Sequence, residues 1–294
     1  MADPELIGVV TVTYNSSGVL PGFLRSMASQ MDCDYLLYVV DNASADETLS
    51  LLSQWGDKRL RVIANVENRG VAAGNNQGIQ HALQDGCSSI LLINNDTEFN
   101  EHLIELLAKG LQTFKVDMIC PKIMYFDEPE RFWAAGGHFQ RLLGFRPAHN
   151  AVGEIDRGQC NSPRLISYTP TCCVLMRGDV FDQVGLMDER YFVYYDDVDF
   201  MFRAGEKGVK LLYFPNALLL HKVGRLTGGE ESPFSIRYCT RNRVYFLRRH
   251  LGLLRSLPVL LFYELYYAAG LICGKFSPEV FFLKHKATWE GFRM

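Results

Sequence analysis

The chain has 294 residues, of which 48% are hydrophobic and 21% are charged, with 25 glycines and 11 prolines. This composition supplies enough apolar side chains for a large core, so it excludes an intrinsically disordered chain, a collagen and a small disulfide-dependent domain. The formal net charge of −3 gives no reason to expect a nucleic-acid partner.

Charge is distributed unevenly along the chain. Residues 234–294 contain ten Lys and Arg against three Asp and Glu, whereas residues 1–233 contain 20 against 30. We therefore predict two parts, an acidic body over residues 1–233 and a basic C-terminal region over residues 234–294.

The cysteines and the N-terminus indicate a cytoplasmic protein. None of the eight cysteines belongs to a C-x-x-C pair, and they lie among apolar residues, so we expect reduced thiols. The first residues lack the basic segment and the cleavage-site pattern of a secretory signal.

The first half of the chain alternates short apolar runs with stretches of helical periodicity. The predicted strands are residues 6–13, 35–40, 60–64, 90–93 and 118–120. The predicted helices are residues 20–30, 46–55, 72–84 and 102–114, with Ser44 or Asp46 as the cap of the second. This alternation predicts an α/β fold with a mostly parallel sheet covered by helices on both faces.

The second half is less regular at first. Residues 125–161 are rich in Gly, Pro and charge, which predicts loops or a small irregular sheet, and we assign this stretch to the acceptor side. Apolar order returns at residues 165–176, followed by a helix near 177–184, an acidic segment, a helix ending at Gly208 and a strand at 210–214.

Polar residues follow three predicted strands directly. They are Tyr14-Asn15-Ser16, Asp41-Asn42-Ala43-Ser44 and Asn94-Asn95-Asp96-Thr97. Because ligands of parallel sheets bind at the carboxyl ends of the strands, we expect these side chains to face one ligand site.

Asp96 is a candidate ligand for a divalent cation. Mg²⁺ takes one or two carboxylates and completes its shell with phosphate and water. The alternative is a solvated turn, since Asn-Asn-Asp is common in turns. Asp41 either accepts hydrogen bonds from a ligand or caps the next helix. His221 follows an apolar run and is either a metal or phosphate ligand or a structural histidine.

Three aspartates, Asp196, Asp197 and Asp199, follow an aromatic run at residues 191–195. Like charges beside an apolar wall raise the pKa of a carboxyl group toward that of a general base. Capping of a helix is the alternative, and it explains one aspartate rather than three.

Two enzyme fingerprints are missing from the sequence. No G-x-G-x-x-G follows the first strand and no G-x-x-x-x-G-K-[ST] occurs, which argues against a dinucleotide oxidoreductase and a P-loop NTPase. The glycines Gly70, Gly74 and Gly78 are spaced by four, which predicts close packing or the approach of a ligand.

The C-terminal region begins with an Arg-rich stretch and continues with an apolar one at residues 257–273, interrupted by Glu264. The apolar stretch is shorter than the roughly 20 residues of a spanning helix, so we predict a helix lying at the surface of an anionic membrane. The alternative is a buried helical hairpin that packs on the body.

The ordered set of motifs resembles the family 2 inverting glycosyltransferases, specifically their rhamnosyltransferase-like branch. The motifs span residues 9–15, 39–44, 68–78, 94–96, 185–192 and 195–199, and the similarity extends over residues 6–221. The resemblance implies a GT-A fold, with a Rossmann-like central sheet, and a nucleoside diphosphate sugar as donor.

The resemblance also implies roles for individual residues. The donor-binding residues would be Thr13, Asn15 and Asp41 at the pyrimidine base and ribose, with Arg69, Asn76, Asn95 and Asp96 along the rest of the cleft. Asp96 would hold Mg²⁺ or Mn²⁺ against the donor diphosphate, with His221 assisting. Asp197 would deprotonate the acceptor hydroxyl, and Asp196 stays a second candidate because the chain has Asp-Asp where Glu-Asp is usual.

The function implied is transfer of a sugar to a hydroxyl of a lipid-linked or saccharide acceptor in bacterial surface polysaccharide synthesis, such as O-antigen. The first choice of donor is dTDP-rhamnose, with a UDP-sugar as the other option, and the enzyme would be peripheral on the inner face of the cytoplasmic membrane.

Two other classes of function are alternatives to sugar transfer. A non-catalytic nucleotide-sugar-binding scaffold is disfavoured by the intact set of Asp41, Asp96 and Asp197. A nucleotidyltransferase would need a basic loop after the first strand, and residues 13–21 contain no Lys or Arg.

Overall fold

The computed structural model describes residues 6–224 and 232–294. In chain order the strands are β1 (Leu6–Thr13), β2 (Asp34–Asp41), β3 (Leu60–Ala64), β4 (Ser89–Ile93), β5 (Thr97–Phe99), β6 (Met118–Tyr125), β7 (Phe132–Ala134), β8 (Gly137–Gln140), β9 (Arg146–His149), β10 (Arg164–Ile166), β11 (Cys173–Arg177) and β12 (Leu211–His221). The helices are α1 (Leu20–Ala28), α2 (Thr48–Trp55), α3 (Gly70–Gln84), α4 (Leu103–Phe114), α5 (Asp179–Val184), α6 (Asp196–Glu206), α7 (Pro233–Ile272) and α8 (Pro278–Arg293).

The central sheet has the strand order β10-β12-β6-β11-β4-β1-β2-β3, with β5 paired to β12 and β7 to β6. Strands β3, β2, β1 and β4 run parallel to one another, as predicted for the first half of the chain. Strand β11 is antiparallel to both β4 and β6. The reason is topological: β6 ends at the carboxyl edge of the sheet, and the chain re-enters the sheet from that same edge as β11.

Helices cover both faces of the sheet, which confirms the predicted α/β architecture. One apolar core lies between the sheet and α1, α2 and α4, and a second lies between the other face and α3, α5, α6 and part of α7. Helix α2 begins at Thr48, later than predicted, and the side chain of Asp46 accepts a hydrogen bond from the Thr48 N–H (3.1 Å). The N-cap position is Glu47, whose side chain makes no capping hydrogen bond, so the prediction of Ser44 or Asp46 as the cap is wrong; Asp46 stabilises the turn from one position earlier.

The glycines of α3 are required by close packing, one of the two alternatives that the sequence offers. A Cβ atom at Gly74 would overlap the side chain of Val12, and one at Gly78 would overlap Val10, both on β1. Gly70 has a φ of +84° and lies against the backbone of Phe192. These glycines let α3 lie directly on β1, which brings its first turn to the carboxyl edge of the sheet.

The irregular stretch at residues 125–161 contains the end of β6, strand β7 and the β8–β9 hairpin, so the predicted small sheet is confirmed. The predicted strand at residues 210–214 begins one residue later, at Leu211, and it belongs with His221 to the single strand β12, whose register shifts between Phe214 and Leu218. All eight cysteines are free thiols.

Helix α7 is kinked at Gly252, where φ is 74° and ψ is 165°. We call residues 233–251 its inner part and residues 253–272 its outer part. The inner part packs on the body through Tyr245 and Phe246, which belong to the second core, whereas Val244 and Leu247 form a small cluster with Leu260 of the outer part. The domain boundary at residue 233 stays a prediction, but the chain beyond it is not separate from the core of the body.

Candidate active site

The carboxyl edge of the sheet brings the predicted polar residues together. Strands β1, β4 and β2 are adjacent and parallel, so their last residues lie side by side, with Thr13 in register with Asp41. Strand β12 ends at the same edge, because His221 pairs with Thr97 of β5. The edge therefore gathers residues that are more than 200 positions apart in the sequence.

Asp41 is the centre of a buried hydrogen-bond network. Its Oδ1 accepts from the hydroxyls of Thr13 (2.8 Å) and Ser44 (2.6 Å), and its Oδ2 accepts from the Ser44 N–H (2.9 Å). Asp41 does not cap α2, which begins seven residues later at Thr48. It holds the end of β1 and the β2–α2 loop together and leaves Oδ2 with capacity for a further hydrogen bond.

The other predicted donor residues lie around this network. Asn15 has a left-handed backbone (φ 49°), and its Oδ1 accepts from the Ala45 N–H (2.8 Å). Arg69 precedes α3, is exposed, and lies 3.9 Å from Glu189. The Asn76 side chain donates to the Met187 carbonyl (2.9 Å) and accepts from the Met187 N–H (2.9 Å), which ties α3 to that segment. Their contacts with a donor stay predictions.

Asp96 and His221 form a buried pair with unused capacity. The Oδ1 of Asp96 lies 3.3 Å from the Nε2 of His221. Asp96 Oδ1, His221 Nδ1 and Asn95 Oδ1 are all buried without a hydrogen-bond partner. The Asn95 amide nitrogen donates to the Val12 carbonyl (2.5 Å), which fixes the turn that carries Asp96.

This pair fits a divalent cation. Two adjacent ligands of an octahedral ion, each about 2.1 Å from it, are about 3 Å apart. A carboxylate oxygen and an imidazole nitrogen at 3.3 Å match that spacing closely. A bound cation would also satisfy the Asp96 oxygen, since buried polar atoms rarely go without a partner.

A second acidic group lies elsewhere. Ligand atoms of Asp32, His102 and Glu105 fall within 4.8 Å of one another. Asp32 precedes β2, so this group lies at the opposite edge of the sheet, beside a cavity of about 470 Å³. Glu105 is already paired with His102 and Lys109 there, and the group is distinct from the Asp96–His221 pair.

The two candidate bases begin α6. The Oδ2 of Asp197 accepts from the Tyr168 hydroxyl (2.7 Å), and its Oδ1 accepts from the Val198 N–H (2.8 Å). Burial raises the pKa of Asp197 against the opposing effect of these hydrogen bonds. Burial, and then the neighbouring charge of Asp197, raises the pKa of Asp196 to about 8. Of the two candidate bases, Asp197 is the one that a neighbouring side chain, the Tyr168 hydroxyl, holds in position.

Asp199 has a different role from the other two aspartates. Burial opposes its ionisation, but hydrogen bonds from His250 (2.7 Å) and Arg203 (2.7 Å) outweigh that effect and lower its pKa. Asp199 therefore fastens α6 to the inner part of α7.

The loop before α6 is strained and is held by α7. Phe192, Tyr194 and Tyr195 have φ values of 66°, 61° and 67°, and such left-handed conformations cost roughly 1–3 kcal/mol each for residues other than glycine. The buried Nδ2 of Asn242 lies 2.8–2.9 Å from the carbonyl oxygens of Tyr191, Val193 and Tyr194. Asn242 thus fixes the backbone that leads into Asp196.

Sequence reasoning missed several residues at this edge. Besides Asn242 they are Trp133, His149 and Tyr168, which lie close to His221 and Asp197. They come from separate segments, and no spacing pattern relates them to each other. The one signal in the sequence was the aromatic run before Asp196. The structure shows that this run is strained, and a strained loop needs a partner that holds it in place.

Two curated relatives resemble this chain over most of its length. It is 24% identical over 300 residues to the dTDP-rhamnosyl transferase RfbF of Shigella flexneri, which covers 98% of this chain and 95% of that protein. It is 24% identical over 269 residues to an N-acetylglucosaminyl-diphospho-decaprenol L-rhamnosyltransferase of Mycobacterium tuberculosis, covering 86% of this chain and 87% of that protein.

A solved structure shares the fold. The crystal structure of GalNAc-T7 with UDP, GalNAc and Mn²⁺ superimposes with a TM-score of 0.65 at 16% identity. The match covers 84% of this chain and 50% of that chain, so this protein spans about half of that relative. The arrangement of sheet and helices described above is thus that of a GT-A fold.

A family model supplies the last comparison. The model described as Glycosyl transferase family 2 matches residues 8–185, from within β1 to the end of α5. The match includes Asp41 and Asp96, whereas Asp197 and His221 lie beyond it. With the fold, the relatives and this match in agreement, the chain belongs to glycosyl transferase family 2.

Proposed function

We propose that this protein is a metal-dependent, inverting glycosyltransferase that uses a pyrimidine nucleoside diphosphate sugar. One observation carries the proposal: a buried, unsatisfied carboxylate–imidazole pair and a buried, oriented carboxylate belong to the same edge of the sheet. The first group suits the diphosphate of a donor, and the second suits the hydroxyl of an acceptor.

Each residue of the site has a role in this proposal. Asp41, held by Thr13 and Ser44, receives hydrogen bonds from the nucleoside. Asp96 and His221 hold the cation, which when bound neutralises charge on the departing diphosphate. Asp197 accepts the proton of the acceptor hydroxyl, and its raised pKa favours that step. One displacement between the two groups inverts the anomeric carbon.

The proposed donor is dTDP-rhamnose. The support is that both relatives are rhamnosyltransferases and that one of them is named for dTDP. At 24% identity the residues that bind the sugar in the relatives do not determine those of this chain. A UDP-sugar is therefore the second choice of donor.

The proposed acceptor is lipid-linked, at an anionic membrane surface. One relative is named for a decaprenol-linked substrate. In this chain the outer part of α7 exposes large apolar residues at positions 254, 257, 261, 265 and 272, and α8 exposes Phe282 and Trp289. The exposed charges of residues 253–294 are four cations, Arg255, Lys275, Lys286 and Arg293, against the single anion Glu279.

These features suit a helix that lies at a lipid surface. Within residues 6–224 and 232–294, no helix combines the length and apolar content needed to cross a bilayer.

The test is calorimetric titration of dTDP, UDP and GDP with and without Mn²⁺. We expect one pyrimidine nucleotide to bind in a metal-dependent way, and Asp96→Asn to abolish the metal dependence. The matched control is Asp32→Asn in the other acidic group, which should bind like the native chain. Equal binding with and without Mn²⁺ would contradict the metal role.

Activity is tested separately with the nucleotide sugar and an acceptor. We expect Asp197→Asn to lower kcat by about 10²–10⁴-fold without changing nucleotide affinity, and NMR of the product to show an inverted anomeric centre. A native chain that binds the nucleotide but transfers no sugar to any acceptor would favour the scaffold alternative.

A further inference from the structure

A row of aromatic rings connects the two chemical groups of the site. Trp133 of β7 lies edge-on to His221, with ring centroids 4.5 Å apart, and lies 5.0 Å from the ring of His149 at the end of β9. The ring of His149 is 5.5 Å from that of Tyr168, whose hydroxyl donates to Asp197. The row therefore runs from the candidate metal pair to the candidate base.

The position of this row matches what the reaction requires. In the proposed function, the diphosphate is held at Asp96 and His221, and the attacking hydroxyl is held at Asp197. The sugar that is transferred must lie between the diphosphate and the acceptor hydroxyl, because its anomeric carbon is bonded first to a diphosphate oxygen and then to the hydroxyl oxygen. The rings of Trp133 and His149 line that interval.

The chemistry of the two rings also suits a sugar. Trp133 and His149 are half-buried rather than sealed in the core, and aromatic surfaces combined with a few polar atoms are typical of small-ligand sites. The Nδ1 of His149 is buried and has no hydrogen-bond partner, so it has unused capacity for a hydroxyl. Burial, and then the nearby His221, lowers the pKa of His149 to about 4, so its neutral ring has one donor and one acceptor nitrogen.

We propose that Trp133 and His149 form the subsite for the transferred sugar. The indole of Trp133 packs against the apolar face of the pyranose ring, and His149 hydrogen-bonds one of its hydroxyls. This inference rests on the proposed function and adds to it the residues that recognise the sugar rather than the nucleotide. Tyr168, at the end of the row, is the positioning residue for Asp197.

The test compares two ligands on each variant, in the presence of Mn²⁺: the nucleoside diphosphate alone and the corresponding nucleotide sugar. We expect Trp133→Leu and His149→Ala to bind the diphosphate within about twofold of the native chain, and to bind the nucleotide sugar about tenfold more weakly, the loss of one good contact. Trp133→Phe keeps a ring and should recover most of the affinity. Trp289→Leu, on the exposed face of α8, is the matched control.

Fluorescence gives a readout that does not depend on turnover. The chain has three tryptophans, so the double variant with Trp55→Phe and Trp289→Phe reports on Trp133 alone. We expect the nucleotide sugar to change its emission and the diphosphate alone to leave it nearly unchanged.

The outcomes separate this inference from the proposed function. If Trp133→Leu and His149→Ala weaken both ligands equally, the rings merely support His221, and the subsite is overturned. If neither variant changes either affinity, the subsite is likewise overturned. If the native chain binds no nucleoside diphosphate at all, the proposed function falls and the subsite falls with it.

Discussion

The inner and outer parts of α7 are consecutive in sequence, but they differ in what they contact. The inner part is covered by the body: Asn242 is buried against three backbone carbonyls, and Phe246 packs against Tyr195, the residue before α6. The outer part is half open: Leu260, Tyr263 and Tyr267 are buried, whereas Leu254 is 82% exposed and Ile272 is 85% exposed.

This difference shows that the basic C-terminal region is not one appendage. The inner part holds the strained loop and, through His250 and Asp199, the helix that carries the candidate base. The outer part and α8 provide an apolar surface with flanking cations. Both sequence-based alternatives concern residues 257–273, which lie in the outer part, and that part buries one set of side chains and exposes another. Its contact with a membrane stays a prediction.

The largest expected effect comes from the inner part. Asn242→Leu removes the donor to the carbonyls of Val193 and Tyr194, so both lose this hydrogen bond while the loop stays strained. The Tyr191 carbonyl keeps the hydrogen bond that Arg241 donates. We expect a loss of about 2–4 kcal/mol in the free energy of unfolding and a fall in kcat with unchanged nucleotide affinity. Denaturant titration, kinetics and calorimetry measure the three quantities.

The same substitution at exposed Asn216 of β12 is the control and should change none of them. A native kcat for Asn242→Leu would mean that the loop before α6 keeps its conformation without the Asn242 side chain. The inner part of α7 would then have no effect on catalysis through this residue.

The second effect concerns pH and the buried start of α6. Burial and the neighbouring charge of Asp197 raise the pKa of Asp196 in the folded chain to about 8, whereas an unfolded aspartate has a pKa near 3.8. The folded state thus binds more protons in this interval, so Asp196 makes the protein less stable as the pH rises from about 4 to about 8. Asp196→Asn should remove this part of the decline, on the order of a few kcal/mol at pH 8.

Thermal unfolding of both proteins across that pH range measures the difference. Parallel pH profiles for the native chain and Asp196→Asn would show that Asp196 ionises in the folded state as it does in the unfolded one.

The third effect lies at the kink between the two parts. Gly252 adopts φ 74° and ψ 165°, and a Cβ atom there would meet no other atom within 4 Å. Gly252→Ala should therefore cost about 1–3 kcal/mol through backbone strain alone. Gly205→Ala, in the regular and open helix α6, should instead stabilise by about 0.5–1 kcal/mol. Equal results for the two variants would show that the kink is not needed.

The smallest expected effect on stability comes from the outer part. Leu254→Ser, Leu261→Ser and Leu265→Ser combined change side chains that are 60% exposed or more, so we expect each to change the free energy of unfolding by less than about 0.5 kcal/mol. Binding to vesicles that contain anionic lipid should nevertheless be lost, because the apolar contact with the lipid is removed.

Flotation with anionic and with neutral vesicles measures this binding. The native chain should float with the anionic vesicles more than with the neutral ones. Equal flotation of the native and triple-serine proteins would exclude the outer part as the lipid contact.

The sequence by itself determined the first half of the fold and the polar edge. Apolar periodicity identified β1 to β4 and α1 to α4, because a half-buried strand or helix repeats its pattern over neighbouring residues. The polar residues Asp41, Asn95 and Asp96 follow those strands directly, so parallel order was enough to bring them together.

Only the tertiary structure decided how the rest of the site is assembled. The antiparallel direction of β11 follows from the path of the chain, and periodicity carries no information about direction. The contacts of Asn242 with residues 191–194, about 50 positions away, and of Trp133 with His221 depend on which surfaces meet when helices and strands pack. A local sequence pattern predicts that a residue is buried, but the residue that it contacts depends on how the whole fold packs.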